Sequence, residues 1–249
     1  MEALLSLVSA LHLACVLFAA AAPCYALWLE WQGARQNDLL ANRLGRSLAL
    51  GAIYALLIGM TLGGLSLLVL YLAGQTPYFE GLAIIPLRRI WFSAAELVVY
   101  LAGMTAYVVW WQTMPRWLHR FLAVFSATHL LYHFPPLFSA VAVASTRPPL
   151  WGQTLEYTET LSLFGAQETL ARTLHAVLAS FAIAGVALVW LAQRRLPPAP
   201  TSEAPNSDDS DAMASSAAAS WIRRGGKAAL LFTLLQIPMG IWLIFAMPG

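Results

Sequence analysis

The sequence predicts an all-α integral membrane protein of six transmembrane helices, and three observations predict it. Of its 249 residues 59% are hydrophobic and only 10% charged, where a soluble domain carries about 25% charged residues to cover its surface. The mean hydropathy is +0.67. The apolar residues gather into six runs, near 3–29, 47–73, 90–112, 120–145, 172–193 and 227–247, each long enough for a bilayer that takes about 20 helical residues to cross. The net charge of +2 does not point to nucleic acid, because the basic residues sit in short loops between the apolar runs.

The first run, ALHLACVLFAAAAPCYALWLEW, reads as a retained span. Its start carries Glu2 and no Lys or Arg, and its apolar stretch exceeds the 7–15 residues of a signal-peptide core. Cys15 and Cys24 both fall in this run, in no metal or redox spacing, and there is no C-x-x-C-H for covalent haem. The second run contains GMTLGG, whose Gly59 and Gly63 form a G-x-x-x-G surface for close helix approach. The fourth is interrupted by Pro135 and Pro136, which free backbone carbonyls and predict a kink.

Two connecting segments, 74–89 and 146–171, are expected to hold short amphipathic helices on the membrane surface. Residues 197–220 (PPAPTSEAPNSDDSDAMASSAAAS) read as a disordered linker. The chain thus divides into spans 1–5 over 1–196, the linker, and span 6 over 221–249.

Charge sets the expected orientation. The loops joining spans 1–2, 3–4 and 5–6 hold Arg35, Arg43, Arg46, Arg116, Arg120, Arg194, Arg195, Arg223, Arg224 and Lys227. The opposite side holds Arg88, Arg89, Arg147 and Arg172. By the positive-inside rule both termini lie outside the cytoplasm, in a multi-pass protein of the cell inner membrane. Trp28, Trp31, Trp110, Trp111 and Trp190 near the span ends form the interfacial aromatic belt.

Ionisable groups inside spans are costly and mark functional candidates. They are His12, Glu96, His129, His133 and His175; Met239 and Gln236 add weaker polar atoms. His119, in the basic segment MPRWLHR, is expected to be solvated. Counted from the span ends, four of the five ionisable groups fall in the outer half of the membrane. Imidazoles facing one another at one depth suit a b-type haem (heme b), whose iron takes His or Met axially from facing helices. His129 and His133 are four apart and share a helix face, and the small residues Ala176, Ala179 and Ser180 follow His175. A histidine in a span is also often a packing residue hydrogen-bonded between helices. For Glu96 the bland alternative is a protonated acid bonded to neighbouring backbone.

On these residues the chain resembles subunit I of the cytochrome bd quinol oxidases. The likeness lies in TLHAVLASF opening span 5, in the basic IRR segment leading to LLQIPMG in span 6, and in the first span. The IPLRRIWFSAAE entry to span 3 is similar too, with Glu96 about a turn out of register from the family's glutamates. The resemblance implies that His175 ligates a low-spin haem b and His12 a haem of the oxygen-reducing pair. Glu96 would be a proton-relay or quinol-site carboxylate, and Arg88, Arg89 or Arg172 would neutralise haem propionates. It covers only the family's first six helices: the long quinol-binding loop and the later helix supplying a methionine ligand have no counterpart. The ligand opposite His175 would then be His133, His129, Met239 or a group from a partner subunit, and oxygen reduction by this chain alone is not implied.

The function expected is a haem-b electron-transfer subunit of a respiratory complex, taking electrons from quinol or a periplasmic partner and working with other membrane or cytochrome subunits. The competing expectation is a haem-free structural or assembly subunit that kept the fold. A small-molecule transporter fits less well, since no inverted repeat or matched pair of broken helices is present.

Overall fold

The computed structural model describes residues 2–111, 113–196 and 209–247. Six of its helices are long and apolar enough to cross a membrane. These are α1 (Glu2–Gln36), α2 (Leu39–Leu72), α4 (Leu87–Val109), α5 (Arg116–Ser145), α7 (Gln167–Gln193) and α8 (Asp209–Ala246). Two short helices complete the order, α3 (Pro77–Ala83) and α6 (Tyr157–Gly165), with a single 3-10 turn at Pro148–Leu150. No strand occurs among the described residues. The protein is a helical multi-pass membrane bundle.

Alanine explains why α1 can sit in its middle. Ala19, Ala21 and Ala22 are fully buried, and their small side chains let α2, α5 and α7 all pack against one helix. Pro23 follows this run inside the helix. It has no N–H, so the carbonyl of Ala19 loses its usual partner four residues on. The hydroxyl of Tyr100, fully buried on α4, donates to that carbonyl at 2.6 Å. Tyr25 donates to the carbonyl of Phe181 at 3.0 Å and ties α1 to α7.

The turn between α1 and α2 is equally specific. Asn37 takes the left-handed conformation with φ 52°, and Asp38 caps α2 by accepting from the Ala41 amide at 3.0 Å. The other Asp38 oxygen accepts from the Trp221 indole at 2.8 Å, fastening α8 to this turn. The α7–α8 pair approaches closely at Gly185, where an added Cβ would lie 2.9 Å from the Ala229 backbone nitrogen.

The boundary expected for span 6 needs correction. Residues 209–220 are helical and form the start of α8, with Ala218 and Trp221 buried; the rest of the expected linker, 197–208, lies outside the described residues. The serine-rich composition suggested disorder, but the run SSAAAS is a good helix former, and Trp221 anchors it to Asp38. The two short helices occur where expected. Rather than standing apart from the bundle, they cap one end of α5, where Ile84 and Ile85 are buried with Leu137, Ala140, Leu155 and Leu163.

Large apolar side chains cover the outside of the bundle, among them Leu57, Ile58, Leu68, Leu230, Leu234, Ile237 and Ile244. In water such a surface would drive aggregation; against lipid tails it costs nothing, and only the backbone must be satisfied internally, which helices do.

Candidate functional site

The structure gathers three of the expected residues into one cluster. Glu96 on α4 is 2% exposed. His129 and His133, one turn apart on α5, both turn Nδ1 towards its Oε1. His129 is hydrogen-bonded there at 3.1 Å, and His133 sits at the same distance in an ion-pair contact. The i, i+4 spacing sets both rings on the face of α5 that meets α4, 6.2 Å apart and nearly parallel. Phe125 packs edge-on against His129, and Phe92 and Tyr132 lie against His133. The imidazoles are only half-buried, with side-chain exposures of 21% and 31%. Glu96 Oε2 is buried and has no hydrogen-bond partner. A carboxylate accepting from Nδ1 fixes an imidazole's tautomer and leaves Nε2 for another partner.

His12 is fixed by a different device. Its Nδ1 lies 2.7 Å from the carbonyl of Gly59 on α2. A carbonyl only accepts, so Nδ1 donates and Nε2 keeps the lone pair in the neutral ring. The GMTLGG stretch makes room for this: a Cβ on Gly63 would fall 2.7 Å from His12 Cε1, and one on Gly59 would fall 2.9 Å from Val16.

His175, on α7, is part-buried and stands apart from the others. Its Nδ1 is buried without a hydrogen-bond partner. Opposite it on α8 is Gly240, whose absent side chain would begin 4.0 Å from His175 Cε1. Met239 is the neighbour of that glycine and is part-buried.

Two of the three arginines proposed for propionates are engaged by protein. Arg172 makes a two-nitrogen contact with the buried Glu168, at 3.2 and 2.9 Å, and Arg147 approaches the same carboxylate at 3.4 Å. The guanidinium of Arg89 lies over the rings of Phe164 and Tyr157 on α6, 5.2 and 5.8 Å from their centroids. Arg88 is exposed.

His119 corrects the expectation of a solvated side chain: it is 2% exposed. Pro115 caps α5, so the basic segment is already helix, and its first turn places the ring inside. Nε2 donates to the carbonyl of Tyr107 at 2.7 Å, and Nδ1 lies 2.9 Å from Glu30 Oε2. Since a carbonyl cannot donate, the second contact requires a further proton on the His119–Glu30 line. Tyr107 donates its hydroxyl to the same Oε2 at 3.0 Å and stacks on the imidazole at 3.9 Å. Arg120 Nε donates to Oε1 at 3.3 Å. Glu30 was missed because it lies one residue beyond the expected end of span 1; the single acid in LWLEW was the signal.

Among the described residues, no group of three or more His, Cys, Asp or Glu is arranged to hold a metal ion. No family model, no curated protein and no solved structure matches the chain.

Proposed function

We propose that this chain is a membrane-embedded subunit of a respiratory redox complex that carries b-type haem, a relative of the cytochrome bd subunit I it resembles in sequence. The observation that supports it best is His175: a buried imidazole nitrogen with no partner, at the head of a stretch, Ala176 to Ala192, that carries no ionisable side chain, and facing a glycine. An orphaned polar atom in hydrocarbon costs several kcal/mol, roughly, and a ligand offsets that cost. His12 fits as a second ligand, because Gly59 holds its Nδ1 and leaves Nε2 free to bind iron. Met239, beside Gly240, or a partner subunit would supply a further group to hold the haem. His129 and His133 fit that place less well, since Glu96 holds them on the α4 side of α5. Arg88 is the guanidinium left for a propionate.

When bound, haem b supplies a one-electron carrier. The chain's own residues then have separable tasks: His175 and His12 bind, and Glu96 with its imidazoles takes up and passes on a proton through its unpaired Oε2. Quinol or a periplasmic partner provides the electrons. In this reading the six crossings leave both termini on one side, and the arginine distribution supports the exterior of the inner membrane for it.

A haem-free structural or assembly subunit is the second reading. It is favoured by His12, His119 and His129, each of which already has a protein hydrogen-bond partner. Acid–acetone extraction followed by a pyridine haemochrome assay separates the two. The first reading expects at least one extractable haem b per folded chain and a lower ratio in His12→Ala. A monodisperse, haem-free protein purified from haem-replete cells establishes the second.

A further inference from the structure

A continuous apolar groove runs along the outside of the bundle between α1 and α5, and no histidine lines it. It comprises two adjoining hollows of about 380 Å³ each that share Cys24 and Leu27. The buried Ala123 and Ala127 line its α5 side, where side chains are too short to fill the space. Leu131 and Tyr132 close it at one end, and Trp31 and Arg120 at the other. From Arg120 to Tyr132 is twelve residues, about 18 Å along the helix, close to the roughly 15 Å of a single leaflet's hydrocarbon.

The two ends differ chemically. At the Arg120 end the guanidinium meets the carboxylate of Glu30, whose oxygens are taken by Tyr107, His119 and Arg120 Nε. The terminal nitrogens of Arg120 have no protein partner among the described residues, and its side chain is 32% exposed. Trp31, on the same wall, carries the guanidinium of Arg35 over its ring at 4.7 Å. This end is therefore cationic and aromatic, and the remainder of the groove carries no charged side chain.

We propose that this groove binds one anionic phospholipid from the leaflet on the arginine-rich side. An acyl chain lies over Ala123 and Ala127, and the phosphate sits on the free nitrogens of Arg120 with Arg35 nearby. Guanidinium pairs with phosphate through two parallel hydrogen bonds, and a groove one leaflet deep takes a chain anchored at the interface. Neither the haem nor the electron-transfer reading is needed for this site.

Native mass spectrometry tests it on the full chain in a mild maltoside detergent, titrated with phosphatidylglycerol or phosphatidylcholine. Wild-type protein should retain one phosphatidylglycerol at least about tenfold more tightly than phosphatidylcholine, the size of one hydrogen bond to a charged group. Val124→Trp, at a lipid-facing position 51% exposed, should fill the groove and abolish that adduct while leaving the thermal transition in place. Arg120→Gln should equalise the two lipids. Equal retention of both lipids by wild type, an adduct unchanged in Val124→Trp, or a prenyl quinone retained in its stead overturns the proposal. So does a protein dimer that Val124→Trp disperses with no lipid bound.

Discussion

Glu30 and Glu96 are both buried carboxylates that hold imidazoles from α5, yet their surroundings differ. Glu30 has both oxygens committed, to Tyr107, His119 and Arg120, and the His119 ring is enclosed by Tyr107 and Trp111. Glu96 has one oxygen shared by two half-exposed imidazoles and the other unpaired. A fully satisfied buried network is a rigid fastening; one with spare capacity is able to accept something more. The first pins the arginine-rich ends of α1, α4 and α5 together. The second keeps an open acceptor inside and two part-exposed imidazoles outside, an arrangement that the proposed proton transfer would use.

That contrast can be broken by substitution. Glu30→Ala strands His119 and Arg120 and is expected to destabilise the bundle most, by about 3–5 kcal/mol, seen in thermal or SDS unfolding of the purified protein. A loss below about 1 kcal/mol would show that the network is ornamental. Next comes Tyr100→Phe, which leaves the Ala19 carbonyl with neither Pro23 nor a hydroxyl to bond it. About 1–3 kcal/mol should be lost, and the same unfolding curves will show no change if water or a side chain takes over. Gly63→Ala sets a methyl against the His12 ring and should cost about 1–3 kcal/mol through overpacking. It should also lower haem content, by pushing the ring off Gly59. The smallest effect on stability belongs to Glu96→Gln. Its amide oxygen still accepts from His129, and the oxygen replaced had no hydrogen bond to lose, so the change should stay within about 1 kcal/mol. Its effect should appear in turnover with an electron donor, and wild-type turnover in a folded Glu96→Gln protein removes Glu96 from proton transfer.

What could be read from the sequence follows from which interactions are local. Hydropathy placed all six membrane helices, because span length and apolarity are properties of one segment. The i, i+4 pair His129 and His133 was legible for the same reason. Their shared attachment to Glu96 was not, since it depends on how α4 meets α5 thirty-three residues away. His119 looked like a loop residue because its neighbours are basic; only Glu30, 89 residues earlier, explains its burial. The start of α8 was hidden by composition. Serine and aspartate argue for disorder locally, whereas the contact between Trp221 and Asp38 spans 183 residues. Pro23 was visible as a helix interruption, but the donor that compensates for it lies on another helix.

The claim that matters most is that His175 lacks a partner because its partner is iron. The direct measurement is a dithionite-reduced minus air-oxidised difference spectrum of the purified wild type beside His175→Ala. The account predicts a haem-b α-band in the wild type that is lost or sharply reduced in the variant, with both proteins eluting as folded species. A folded wild type with no band, or a band of equal height in His175→Ala, would contradict it.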